Sequence, residues 1–178
     1  MILYHGSISG LKLPIKVDYS SNPCDFGKGF YLGDMKEQAQ NRVCNFRDSV
    51  VYEMELDMNK YRTYQFEDDV LWALFIGVNR KRIELSEYKK LTDFFDKLHR
   101  DYDILIGHIA DDKIAQSFNR FMDGDITDRA LTECLREVKY GNQYVIKKQN
   151  VANDIVILNE YLYDDKERLY LRRDDPRL

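Results

Sequence analysis

Three short stretches hold residue types that could do chemistry. The first, DFGKGFYLG at residues 25–33, sets Gly27 and Gly29 around Lys28 directly before an aromatic and apolar run. Backbone without a Cβ admits a phosphate, a flat ring or another part of the protein at close range, and these nine residues leave all three open. The second, LYHGS at residues 3–7, puts His5 after an apolar run and before a glycine. An imidazole there accepts or donates a hydrogen bond near neutral pH, although a solitary histidine is more often structural. The third, GNQYVI at residues 141–146, begins an extended run with Asn142 and Gln143. Such amides ordinarily serve as polar residues at a sheet edge.

Taken one at a time, the other polar candidates have plain structural readings. Tyr31 suits a core, and Asp111 with Asp112 suits a loop and a helix cap. His99 and His108 lack a partner at useful spacing, and the acidic runs at 67–69 and 164–165 read as caps or solvated faces. Cys24, Cys44 and Cys134 form no CxxC and no paired His/Cys spacing, so neither a disulfide framework nor a zinc site is expected, and no metal. Reduced thiols in a cytoplasmic setting are the matching expectation.

These residues need elements to hold them, and hydropathy periodicity supplies an outline. Residues 1–4 make a short apolar strand, 13–30 a loop, and 30–32 an extended piece before a helix that runs from about Asp34 through Ala39, Val43 and Phe46. VVYEMEL at 50–56 alternates as a half-buried strand, which 61–66 extends or pairs with. Asp68 or Asp69 caps a helix that carries Trp72 and Phe75 and ends at Asn79 and Arg80; another, from Ser86, turns Leu91, Phe94, Phe95 and Leu98 inward. YDILIGHI at 102–109 reads as a central strand interrupted by Gly107. Helices at 112–121 and 127–138, the second capped by Thr127, precede strands at 142–148 and 154–158. Strands first, helices in the middle and strands last give an α+β domain with a split, mostly antiparallel sheet. Residues 1–163 form that single domain, and 164–178 a charged tail, solvated or frayed.

A chain of 178 residues with 44% hydrophobic content can bury one core without staples. Its net charge of -4 gives no global attraction to nucleic acid or anionic lipid. No run approaches membrane-spanning length and the start lacks a basic leader, so neither a membrane nor export is expected. The thirteen tyrosines are scattered instead of set among lysines as a stacking platform, which favours protein over nucleic acid as a partner.

In combination the three stretches say more. LYHGS, FGKGFYLG and GNQYVI, in that order, resemble the signature segments of the ADP-ribosyltransferase fold in its poly(ADP-ribose) polymerase and diphtheria-toxin branch, where the pattern is His, Tyr, Glu. Through YDILIGHIADDKI, FIGVNR and DFGKGFY, nearly the whole chain also resembles an uncharacterised bacterial family, number 3990 in the domain-of-unknown-function series, itself considered similar to ADP-ribosyltransferases. The resemblance implies an ADP-ribosyltransferase-like sheet with a helical insertion in mid-chain, and NAD as the substrate. It makes His5, Tyr31 and Gln143 the catalytic positions, with His5 on a ribose hydroxyl and Tyr31 stacked on the nicotinamide. Gly6 and Ser7 would hold the carboxamide, while Phe26, Gly27, Lys28 and Gly29 would form one wall of a dinucleotide cleft, Lys28 beside the pyrophosphate. Asp111 and Asp112, after a strand that resembles the family's GPxADD segment, would complete the NAD-binding positions.

Position 143 departs from the pattern. Gln143 can orient a ribose hydroxyl but supplies no full negative charge and no base. The expectation is therefore a single transfer to a macromolecular acceptor, with another carboxylate helping, and not chain elongation. By analogy with small single-domain proteins, such a mono-ADP-ribosyltransferase would be the toxin of a toxin–antitoxin or defence pair, with an antitoxin as partner. An idle NAD-binding or interaction module and an NAD glycohydrolase are the alternatives.

Overall fold

The computed structural model describes residues 1–18, 24–67, 69–109, 112–137, 141–163 and 167, without the side chains of 112–115 and 136–137. The chain begins with strands β1 (Ile2–Ser7) and β2 (Phe30–Gly33), helix α1 (Lys36–Val43) and strands β3 (Val50–Glu55) and β4 (Thr63–Gln65). Helices α2 (Val70–Asn79) and α3 (Lys89–Asp101) lead to strand β5 (Ile104–His108), followed by α4 (Asp112–Met122) and α5 (Asp128–Glu137). Strand β6 (Asn142–Ile146), helix α6 (Gln149–Asn153) and strand β7 (Val156–Leu162) complete the described order. Caps read from sequence hold where they are described. The Asp69 carboxylate accepts from Trp72 N at 3.0 Å, and the Thr127 hydroxyl oxygen accepts from Ala130 N at 3.2 Å; Asp68 lies outside the described residues.

The seven described strands join in one sheet, ordered β4-β5-β6-β2-β1-β3-β7, and with the helices they form an α+β fold. The sheet is mixed, where a mostly antiparallel one was expected. Residues 63–65, which the alternation suggested as an extension or partner of β3, stand at the opposite edge, parallel to β5. The reason is the connection: α2 and α3 carry the chain back to its starting end before β5, and such a crossover returns a parallel strand where a tight turn returns an antiparallel one. Helix α1 is also shorter than expected. Ala39 and Val43 complete its buried face against Val51 of β3, and Phe46, beyond them, is exposed. The strand expected to begin at residue 154 begins at Val156, after the unforeseen α6.

Register assigns the side chains to faces, because alternate residues of a strand point to opposite sides. Tyr4 lies opposite Gly33, Gly33 opposite Gln143, and Gln143 opposite Gly107, so one row crosses four strands on one face. On that face Tyr31, Leu105 and Val145 pack with Trp72 and Phe75 of α2, Phe95 and Leu98 of α3, and Leu131 and Leu135 of α5. Each fully buried large side chain in this layer stabilises by roughly 1.5–3 kcal/mol. The other face, with Leu3, Phe30, Leu32, Ile104 and Ile146, is covered by Ile15 of the loop after β1 and by Val151 and Ala152 of α6. No helix among the described residues is long and apolar enough to cross a membrane.

Candidate functional site

Strand β1 pairs with β3 continuously, from Ile2↔Glu55 to Ser7↔Val50, yet meets β2 only at Tyr4↔Gly33. Strand β2, in turn, pairs with β6 along its whole length, from Phe30↔Ile146 to Gly33↔Gln143. The seam between β1 and β2 is therefore open beyond Tyr4, with His5, Gly6 and Ser7 on one side and Phe30 and Tyr31 on the other. His5 bridges it. Its Nδ1 lies 2.7 Å from the Tyr31 carbonyl, and because a carbonyl only accepts, this contact assigns the proton to Nδ1 and leaves Nε2 as an acceptor. The imidazole also stacks on Phe30, with centroids 4.4 Å apart and planes 28° apart. Crowding by its neighbours desolvates the ring and lowers its pKa to about 4; the Tyr31 carbonyl opposes this, and the charge of Arg42 adds to it. The ring is neutral at pH 7.

The three expected catalytic residues thus stand on three neighbouring strands, but not on one face. Tyr31 and Gln143 share the face of Gly33, whereas His5, one residue beyond Tyr4, projects to the other, beside Phe30. His5 meets Tyr31 at the backbone, through the seam.

The glycine loop is held from two directions. The Tyr31 hydroxyl donates to the Gly27 carbonyl at 2.6 Å and accepts from Phe26 N at 3.0 Å, and burial raises its pKa far above the ordinary phenol value. From just after β6, the Lys147 ammonium donates to the carbonyls of Phe26, at 2.8 Å, and Lys28. Burial is the main cause that lowers the Lys147 pKa to about 8; Lys148 acts in the same direction and Cys24 opposes it. Lys28 itself is exposed, and Phe26 has no exposed surface and packs against Phe66 and Phe75.

Of the three neighbours that bare backbone can admit, the protein's own chain lies against these glycines. Gly27 has φ +69°, where an L side chain is strained, and a Cβ there would stand 2.7 Å from the Asn79 side chain. Gly29 is buried against Val145. A Cβ on Gly6 would lie 2.5 Å from the Ala39 carbonyl of α1. The bare glycines of the loop, expected to line one wall of a cleft, make room for Asn79 and Val145, and the missing Cβ of Gly6, expected to let a carboxamide reach its backbone, makes room for α1. Ser7 closes the turn after β1, its hydroxyl donating to the Gly10 carbonyl at 2.7 Å.

Gln143 is buried, 6% exposed, and its Nε2 donates to the His108 carbonyl at 2.9 Å and to Asp25 Oδ2 at 3.2 Å. Asp25 Oδ1 takes both Nε and Nη2 of Arg80 at 2.6 Å. Alongside, the Asp34 carboxylate accepts from both the backbone N and Nδ2 of Asn142 at 2.9 Å, tying the end of β2 to the start of β6. Asp111 lies outside the described residues, and Asp112 begins α4 with its side chain undescribed. Sequence reasoning missed Asp25, Arg80 and Lys147 as part of this arrangement. Asp25 stood in the quoted glycine stretch itself, but its partners are 55 and 118 residues away in sequence.

Residues 1–156 match the model of a family described as Protein of unknown function (DUF3990). No curated protein and no solved structure matches the chain.

Proposed function

We propose, starting from the fact that this chain belongs to the DUF3990 family, that it acts on NAD as an ADP-ribosyltransferase and makes a single transfer to a macromolecular acceptor. The observation that carries the reading is the open seam: LYHGS, FGKGFYLG and NQYVI stand on the adjacent strands β1, β2 and β6, and the ladder between the first two stops at Tyr4↔Gly33. In the proposed reaction the bond between nicotinamide and ribose C1′ breaks, its electron pair leaves with the nicotinamide, and positive charge develops on the ribose. An acceptor nucleophile then bonds to C1′ and gives up its proton. Neutral His5, with Nε2 as acceptor, suits a ribose hydroxyl; Gly6 and Ser7 at the seam suit the carboxamide. Exposed Lys28 suits the pyrophosphate. Tyr31 fixes the loop beside them through its hydroxyl. Such a site works by orientation and by opposing the developing charge.

A protein acceptor and a role as the toxic half of a bacterial toxin–antitoxin or defence pair belong to the same proposal, by analogy with small single-domain toxins. A second reading, an NAD-binding module without chemistry, is favoured by one observation: the amide at position 143 is neutral and its donors are spent inside the protein. Nicotinamide release from labelled NAD, with and without cell lysate and beside His5→Ala, tests both. Release that depends on His5 and leaves label on a macromolecule supports the transferase. Release without labelling points to water as acceptor, and NAD binding without release to the idle module.

A further inference from the structure

We infer that Asp25 supplies the carboxylate that position 143 lacks, and that Asp25 and Gln143 act as one unit in which the acid holds the amide in a single orientation. The inference rests on the proposed activity on NAD and names a positioning residue for it. Among the described residues the acceptors that reach Gln143, the His108 carbonyl and Asp25 Oδ2, both face Nε2, so its two hydrogens are committed and Oε1 is the atom left to accept from a ligand hydroxyl. An amide free to rotate would present either end. Held this way, it offers an acceptor, which is the part of a carboxylate's work that a neutral amide can still perform.

The other part is charge, and Asp25 brings it. Its side chain is 14% exposed, and each oxygen has its own donor: Oδ1 meets Arg80 and Oδ2 meets Gln143. Donors on both oxygens offset the cost of taking a carboxylate out of water. The Arg80 pair alone would tie the loop to the turn after α2. The bond from the second oxygen, to the residue that stands where the resembling pattern has glutamate, adds nothing to that tie. It does place a negative charge one hydrogen bond behind Gln143, where a positive charge developing on a ribose would feel it in a partly water-excluded setting. Arg80 tempers that charge.

The test compares Asp25→Asn, Gln143→Glu, their double variant and Arg80→Met, by thermal melts without ligand and by nicotinamide release over a range of NAD. Asp25→Asn is expected to lower kcat by about 10²-fold while KM moves by less than about threefold, the mark of an interaction made mainly in the transition state. Gln143→Glu sets two carboxylates against each other, so it should lower Tm and give no faster release. The double variant restores one carboxylate and one amide with their places exchanged but leaves the His108 carbonyl without its donor, so it should recover part of the Tm that Gln143→Glu loses and at least about tenfold of the lost rate. Arg80→Met breaks the ion pair but leaves Asp25 on Gln143, and should cost kcat about tenfold less than Asp25→Asn does.

The inference is overturned if Asp25→Asn keeps kcat within about twofold of the parent. It is equally overturned if Arg80→Met matches Asp25→Asn in both readouts, or if the two substitutions add in the double variant's melt. No release from the parent protein, with the melts still coupled, would sink the activity on NAD and the catalytic half of this inference, while the pairing of Asp25 with Gln143 stood.

Discussion

His5 Nδ1 and the Tyr31 carbonyl, 2.7 Å apart, form a side-chain bond across the gap where β1 and β2 stop pairing. The bond performs two tasks. It holds the mouth of the seam at a fixed width, and it leaves Nε2 unprotonated for a ligand.

Replacement of His5 by alanine removes both. We expect His5→Ala to cost about 1 kcal/mol of stability, the scale of one net hydrogen bond, and to lower nicotinamide release by about 10²-fold. Urea unfolding and single-turnover release measure the two effects separately. A variant that releases nicotinamide at the parent rate would remove His5 from the mechanism.

Acid should weaken the fold between pH 6.5 and 4. The pKa values of His5 and His99 are both lowered from 6.5 to about 4, chiefly by burial; for His99, Lys147 adds to the effect and Asp96 opposes it. Below pH 6.5 the unfolded chain takes up protons that the folded chain refuses. The stabilising contribution is therefore present above pH 6.5 and is lost as pH falls towards 4. His99→Phe, which keeps a ring against Phe75, should flatten that decline. Urea midpoints at pH 7, 5.5 and 4.5 for parent and variant read the difference; parallel curves would show that His99 takes no part.

Lys147, like these histidines, is a base that burial holds away from its charged form, but its window lies at alkaline pH. Its pKa is lowered from 10.5 to about 8, mainly by burial, so its contribution is present above pH 10.5 and is lost as pH falls through 8. The stability of the parent relative to Lys147→Met should accordingly rise between pH 8 and 10. The same substitution removes the donor to the Phe26 and Lys28 carbonyls. Amide exchange in residues 26–29 should therefore quicken in the variant at pH 7, with exchange in β3 unchanged.

Gly6→Ala separates two uses of a bare position. Because a Cβ would meet the Ala39 carbonyl at 2.5 Å, backbone must move, at a cost of roughly 1–3 kcal/mol. Chemical unfolding should show that loss in the absence of any ligand. An alanine variant as stable as the parent, but weaker for NAD, would instead mean that the space serves the ligand.

Much of this fold was legible in local pattern. The apolar run after Asp69, the spacing of Leu91, Phe95 and Leu98, and the cap at Thr127 each reflect rules that act within a few turns of helix, and helices form over all three, although α3 begins at Lys89 and not at Ser86 as expected. VVYEMEL likewise became β3. Alternation reports that a strand is half buried but carries no information about its neighbour, so Thr63–Gln65 was recognised as extended and assigned to the wrong edge. Partner choice there depended on two intervening helices, a non-local matter.

The candidate residues divide along the same line. His5, Tyr31 and Gln143 could be picked out by type and order along the chain, and they occupy adjacent strands. That His5 faces away from the other two follows from a register, Tyr4↔Gly33, set by pairing between strands 29 residues apart in sequence. Neighbours along the chain dictate secondary structure through backbone sterics and periodic burial. Contacts such as Asp25 with Gln143, Ala39 over Gly6 and Lys147 on the loop arise when distant segments pack, and they settle which face, which partner and which charge each residue has.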